Sequence, residues 1–379
     1  MKTLHTILAT AALLVSQAFA TQPPVDPPPA QNKIQIALLL DTSSSMDGLI
    51  DQARTQLWKV VNTFTEAKRD GETPYVEVAL YEYGNSGLSI ANHYIRQVQP
   101  LTRDLDELSK QLFALKTYGG EEYCGAVIQR ALGDLAWDPS GQTYKVIFIA
   151  GNEPFTQGPV DARQACKDAI AKGIVVNTIH CGGRQAGING SWHDGAALAE
   201  GKYLVIDQDR AVVHIPAPQD QQIADLGIQL NKTYLGYGTA RAEGYAKQAY
   251  ADESAVTSSA PAAKVERAVA KASKNYSNTS WDLVDAVREK KIDPSKLKAE
   301  ELPEAMRSLK PEERAAFIEK TETERVSIQK QIADLSRQRD AFIAEARKSQ
   351  AKSDTKTLDE VLVETTRDQA AKKGYTFKN

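Results

Sequence analysis

Cysteine is scarce in this chain: there are three, Cys124, Cys166 and Cys181, with no Cys-x-x-Cys spacing among them. A clustered thiolate metal site is thereby excluded, and the odd count leaves either one disulfide with a spare thiol or buried thiols throughout. No His-Glu-x-x-His helix occurs and His193 and His214 stand alone, so a zinc-hydrolase site lacks its ligands. The pairs Gly119-Gly120 and Gly182-Gly183 are not followed by Lys-Ser or Lys-Thr, which excludes a P-loop and leaves them as turns. The formal net charge is only −3 with the signs interleaved, so there is no basic field for nucleic acid and no polybasic patch for a membrane. Beyond residue 20 no apolar run approaches the roughly 20 residues that cross a bilayer.

What is present begins with an export signal. Lys2 precedes an apolar run from Ile7 to Val15, and Ala18-Phe19-Ala20 has the form of a cleavage site, so residues 1–20 read as a secretory signal peptide and the mature chain as periplasmic or secreted. Residues 21–32, TQPPVDPPPAQN, form a proline-rich linker that favours polyproline II.

From Lys33 strands and helices alternate. Ile34 to Leu40 is an almost unbroken apolar run, the mark of a strand buried on both faces of a parallel sheet, and Lys145 to Ala150 repeats it. Between them Leu49, Ile50, Ala53, Leu57, Val60, Val61 and Phe64 recur at helical spacing, Tyr75 to Tyr83 alternates, and His93 to Val98 reads as a short strand. Helices are predicted near 104–115, 123–136, 160–172 and 219–232, and strands at 174–180 and 203–206. This order predicts an α/β fold: a doubly wound, mostly parallel sheet with helices on both faces over residues 33–232. Ligands of such sheets sit at the carboxyl ends of the strands, and the first strand ends at Asp41.

After Tyr237 the strand pattern stops. Residues 233–263 read as a helical or linker segment and 264–379 as a charged, all-α C-terminal region. Helices are predicted at 264–274, at 280–290 with Ser280 as N-cap, at 303–309, and from Pro311 to about Ser349. In the last, Ile328, Ile332, Leu335 and Phe342 make a short coiled-coil-like seam that Thr321, Arg325 and Arg339 interrupt, which favours a helical hairpin over a long dimeric coil.

Asp41-Thr42-Ser43-Ser44-Ser45 offers a carboxylate and two hydroxyls at alternate positions just after a buried strand. Hard divalent cations prefer such oxygens. Helix capping needs one hydroxyl and gives no role to Asp41. A phosphotransferase of the haloacid dehalogenase type would need a second acid where Ser43 stands, and an aspartic protease would need glycine there and a second such motif. His180 and Cys181 are adjacent on a strand, hence on opposite faces, and cannot pair as base and nucleophile.

Over about Lys33 to Asn231 the chain resembles the von Willebrand factor type A family: a strand, Asp-x-Ser-x-Ser, the α/β alternation, a Gly-Gly loop before a helix, and an apolar strand before a Glu-Pro turn. The resemblance implies a metal-ion-dependent adhesion site drawn from three loops. Asp41, Ser43 and Ser45 match the first. In the second, Gly119-Gly120-Glu121-Glu122-Tyr123-Cys124-Gly125 puts Glu122 where the family has threonine, and in the third, Ala150-Gly151-Asn152-Glu153-Pro154 puts Gly151 where it has aspartate. The implied metal ligands are Asp41, Ser43, Ser45 and Glu122, the cofactor Mg²⁺ with Mn²⁺ or Ca²⁺ as alternatives, and the partner a protein engaged through an acidic side chain. A coordinating Glu122 would weaken that mode by occupying the position open to the partner. Non-enzymatic recognition is the expectation. A hydrolase or metal-delivery accessory using the acidic cluster, a vestigial site with Glu121, Glu122 and Glu153 as a solvated rim, and a helical interaction module with the sheet domain as scaffold stand beside it.

Overall fold

The computed structural model describes residues 32–63, 67–206, 215–257, 262–350 and 358–377. The signal peptide, the linker apart from Asn32, Phe64 and His214 lie outside them. Six strands, β1 (Lys33–Asp41), β2 (Tyr75–Tyr83), β3 (Ile95–Thr102), β4 (Tyr144–Gly151), β5 (Ile174–Cys181) and β6 (Tyr203–Ile206), form one sheet in the order β3-β2-β1-β4-β5-β6. All neighbours are parallel except β2 and β3. The expected doubly wound, Rossmann-like sheet is therefore present, with its antiparallel strand at one edge.

The apolar runs are explained by burial on both faces. Along β1, Ile34, Ile36 and Leu40 enter one core and Ala37 and Leu39 the other. The second core is closed by α3 (Cys124–Asp134), α4 (Ala162–Ala171), Trp192 and Phe155. α5 (Arg184–Asn189) and α6 (Trp192–Leu198) complete that side with six and seven residues, too few for a helical period to show in the sequence.

The first core is closed by α1 (Asp47–Thr63) and α2 (Leu105–Ala114), and then by helices from the second half of the chain. These are α7 (Asp220–Asn231), α9 (Ala263–Ala272), α11 (Pro311–Gln350) and α12 (Leu358–Ala371), while α8 (Arg241–Thr257) packs on α2 and α9, and α10 (Leu283–Arg288) forms a separate small cluster with Leu302, Met306 and Ile318. Ile223, Leu230, Val265, Ala268, Trp281, Ile328, Ile332 and Ala370 share one buried cluster with Ile34, Trp58 and Val146. Helices α9, α11 and α12 thus help complete the core of the sheet layer. Gln369 of α12 exchanges hydrogen bonds with Asn177 (Nε2 to Oδ1, 2.8 Å) and accepts one from Tyr144 (2.7 Å). Thr376 pairs with Lys68, and the Tyr375 hydroxyl donates to the Lys33 carbonyl at 2.9 Å.

Three local expectations are corrected. α10 begins at Leu283, capped by Asp282, whose carboxylate accepts from the Asp285 N–H at 3.0 Å, so Ser280 is not the cap. The helix expected at 303–309 is a single 3-10 turn, Glu304–Met306. On α11, Ile328 and Ile332 are buried in the sheet-layer core while Phe342 is 41% exposed, so these residues do not form one continuous seam.

Candidate metal site

β1 delivers Asp41 to the carboxyl edge of the sheet, paired in register with Tyr83 of β2. Asp41 is fully buried; its Oδ1 accepts the Ser43 N–H at 2.7 Å, which folds the chain back and starts the 3-10 turn Ser44–Met46 ahead of α1. The turn sets the Ser43 and Ser45 hydroxyls 3.2 Å apart. The second loop is sewn to the first by main-chain and hydroxyl contacts: the Tyr118 N–H donates to the Thr42 carbonyl (3.0 Å) and the Gly119 N–H to the Ser44 hydroxyl (2.6 Å). That brings Glu122, 4% exposed, against Asp41. From the third loop the Asn152 amide donates to the Ser45 hydroxyl at 3.0 Å.

Two glycines make this approach possible. Gly84, with φ +77°, sits over the pair; a Cβ there would lie 2.7 Å from Glu122 Cγ and 2.8 Å from Asp41 Oδ1. At Gly151 a Cβ would lie 2.5 Å from the Tyr83 hydroxyl and 3.2 Å from Asp41 Oδ2. Tyr83, whose hydroxyl donates to the Ala150 carbonyl at 2.8 Å, therefore fills the space that a third-loop aspartate side chain would need.

The oxygens left over are informative. Asp41 Oδ2, Glu122 Oε2 and Asn152 Oδ1 are all buried without a hydrogen-bond donor. Such groups are rare in native structures because each forfeits its hydration. Burial, and then the neighbouring Glu122, raises the Asp41 carboxyl well above its ordinary range; burial also raises Glu122, with Glu153 adding to it against hydrogen bonds from Asp41 and Ser43. Two carboxylates in contact away from water cannot both remain ionised unless a positive charge joins them. The pair therefore either retains a proton or takes a cation, and the run Glu122, Asp41, Ser43, Ser45, Asn152 is an all-oxygen set of the kind a hard divalent ion accepts. Among the described residues no group of three or more His, Cys, Asp and Glu side chains is placed to hold a metal, so hydroxyl and amide oxygens would have to supply the rest.

Asp41, Ser43 and Glu122 come together, with Ser45 joined through Ser43. Asn152 and Tyr83 were not singled out from sequence; Asn152 directly follows the position where the family carboxylate is missing, which was the available signal. Glu121 and Glu153 are exposed at the rim. All three cysteines are free and buried, which selects the thiol alternative. Burial pushes the Cys124 and Cys181 thiols up, so neither is an activated nucleophile. His180 packs on Trp192, 5.7 Å between ring centroids, whereas Cys181 lies in the opposite core.

No curated protein matches the chain. Among solved structures it is similar to a conserved hypothetical protein, BatB, from Bacteroides thetaiotaomicron, at 15% identity and TM-score 0.36 over 46% of this chain and 90% of that one. Proximal thread matrix protein 1 from the mussel byssus, with a zinc-occupied MIDAS motif, matches at 14% identity and TM-score 0.37 over 48% of this chain, which spans 43% of that protein. The SpRpn10 VWA domain matches at 15% identity and TM-score 0.35, over 46% of this chain and 88% of that one. Identity at this level transfers neither ligand nor partner. Residues 35–191 match the family model described as von Willebrand factor type A domain, so that family is supported for the sheet-bearing part of the chain.

Proposed function

We propose that this is an exported recognition protein whose sheet domain holds a divalent cation, Mg²⁺ or alternatively Mn²⁺ or Ca²⁺, among Asp41, Ser43, Ser45 and Glu122, and uses it to bind a partner protein without chemical turnover. The reading rests on three buried oxygens without donors, Asp41 Oδ2, Glu122 Oε2 and Asn152 Oδ1, in a set linked through two serine hydroxyls. Glu122 supplies from the second loop the negative charge that Gly151 cannot supply from the third. Asn152 is added to the ligand set as a neutral oxygen.

Titration calorimetry of the full chain with Mg²⁺, Mn²⁺ and Ca²⁺ tests this. Asp41→Ala is expected to abolish binding and Glu122→Ala to weaken it at least about tenfold, the effect of roughly 1.4 kcal/mol. An unchanged affinity in Asp41→Ala would sink the proposal. Export is supported by the apolar run and Ala18-Phe19-Ala20; the mass of the protein recovered outside the cytoplasm should correspond to a chain beginning at Thr21.

A further inference from the structure

Glu122, Gly84 and Gly151 all lie against the Asp41 carboxylate. A Cβ at Gly84 would stand 2.8 Å from Asp41 Oδ1, and a Cβ at Gly151 would stand 3.2 Å from Asp41 Oδ2, on opposite oxygens of the one group. A second acid could therefore be offered from the end of β2, from the second loop or from the third. This chain offers it from the second loop alone.

Position 151 is closed by Tyr83. Its ring is fully buried, and its hydroxyl is held from two sides, donating to the Ala150 carbonyl at 2.8 Å and lying 3.6 Å from the Cys124 sulfur. A Cβ at 151 would meet that hydroxyl at 2.5 Å, with the Trp192 ring at 3.1 Å. The carboxylate of an aspartate there would need space the phenol already fills, and a close-packed interior does not yield such space cheaply. Position 122 is opened by Gly84. Its φ of +77° suits glycine, and any Cβ would lie 2.7 Å from Glu122 Cγ. Gly120 passes so close over the Gly84 carbonyl that it too has no room for a Cβ. The Glu122 stem thus reaches Asp41 across bare backbone.

We propose that Tyr83 and Gly84, the last residue of β2 and the one after it, are positioning residues that decide which loop supplies the second carboxylate of the cation site. Tyr83 shuts the third loop out and Gly84 lets the second loop in. The cation itself is taken from the reading above; the steric selection operates in the cation-free chain as well.

Two measurements on the full chain test this, Mg²⁺ titration calorimetry and urea unfolding without cation. Gly84→Ala should weaken Mg²⁺ at least about tenfold, and Gly84→Ala/Glu122→Ala should bind within about twofold of Glu122→Ala alone, because both substitutions remove the same contact. Gly71→Ala puts comparable left-handed strain, φ +80°, where a Cβ meets nothing within 4 Å. It should change Mg²⁺ affinity less than about twofold. Gly151→Asp/Glu122→Ala should bind as weakly as Glu122→Ala, and adding Tyr83→Phe should bring the affinity back to within about threefold of wild type. In urea, Gly84→Ala should lower the midpoint less in the Glu122→Ala background than in the wild type, and Gly151→Ala less in the Tyr83→Phe background, since each partner substitution relieves a clash. The proposal is overturned by additive midpoint shifts in either cycle, by Mg²⁺ losses at positions 84 and 122 that multiply, or by Gly151→Asp restoring affinity with Tyr83 in place. A triple variant that unfolds at the wild-type midpoint yet binds no better than Glu122→Ala overturns it too. A wild type that binds no cation but shows both urea couplings sinks the cation reading alone and leaves the steric selection standing.

Discussion

Beneath the C-terminal helices, buried cations sit against carboxylates. Arg325 faces Asp282 (2.6 Å) and Asp285 (3.0 Å); Arg267 faces Asp106 (2.7 Å) and Asp252 (2.8 Å); Lys271 shares Asp252 (2.7 Å); and Arg339 faces Asp220 (2.7 Å) and Glu266 (2.8 Å). At the tip of β1, by contrast, two acids face each other and no basic side chain among the described residues is paired with either. Both regions are buried and both carry charge, yet in the first each carboxylate lies within ion-pair distance of a cation, whereas the pair in the second has none among the described residues. Matched buried charge fixes which helix packs where; unmatched buried charge marks a place kept for something the chain does not itself supply.

The comparison can be broken at Arg325. Replacing it by methionine keeps most of the volume but leaves Asp282 and Asp285 together without their cation, and denaturant unfolding should show a loss of about 3–5 kcal/mol. A loss below about 1 kcal/mol would mean that the network adds little to the packing of α11.

At the other region the sign reverses. A carboxyl whose folded pKa is raised contributes stability at low pH that is lost as the pH rises through the folded value. The cation-free protein should therefore lose stability as the pH rises above the ordinary carboxylate range and through the raised values of the pair, and Glu122→Gln should flatten that fall. Added Mg²⁺ should restore the wild type and do little for the variant, as thermal melts across pH can show. A wild type whose melting point is flat with pH and indifferent to Mg²⁺ would remove the contrast between the regions.

Lys271 gives a smaller, opposite slope. Burial, and then Arg267, lowers its ammonium to about 8, so the unfolded chain binds more protons than the folded one above that value. Stability should rise with pH between about 8 and 10 in the wild type and not in Lys271→Met. The smallest effect is expected at Phe342→Ala. With 41% of that residue exposed, unfolding should change by about 0.5 kcal/mol, and sedimentation should show no change in assembly. A dissociating oligomer would restore the coiled-coil reading.

The sheet was legible because both-face burial writes continuous apolar runs such as Ile34 to Leu40, and the first site loop because Asp41, Ser43 and Ser45 are close in sequence. The third loop was legible only as a departure: nothing in Gly151 announces that the Tyr83 hydroxyl, 68 positions earlier in the chain, takes the space. The C-terminal half misled for a related reason. Arg325 and Arg339 read as polar interruptions of an apolar stripe, yet they are 1% and 4% exposed, since their carboxylates come from other helices and distant charge partners leave no local pattern. α8 and α9 are rich in alanine and charged residues, so the burial of α8 against α2 and of α9 against α1 and α7 could not be told from a solvated surface.

The pairing of Thr376 with Lys68, and of the Tyr375 hydroxyl with the Lys33 carbonyl, ties the start of the first strand to residues more than 300 positions downstream. A ribosome therefore delivers the two partners of that clasp more than 300 residues apart. Until residue 377 has been made, the edge beside Lys33 lacks its cover and the Tyr144–Asn177–Gln369 knot cannot close. Contacts between residues so far apart in sequence form late in folding, so the first strand waits for the C-terminal helices before its edge is covered.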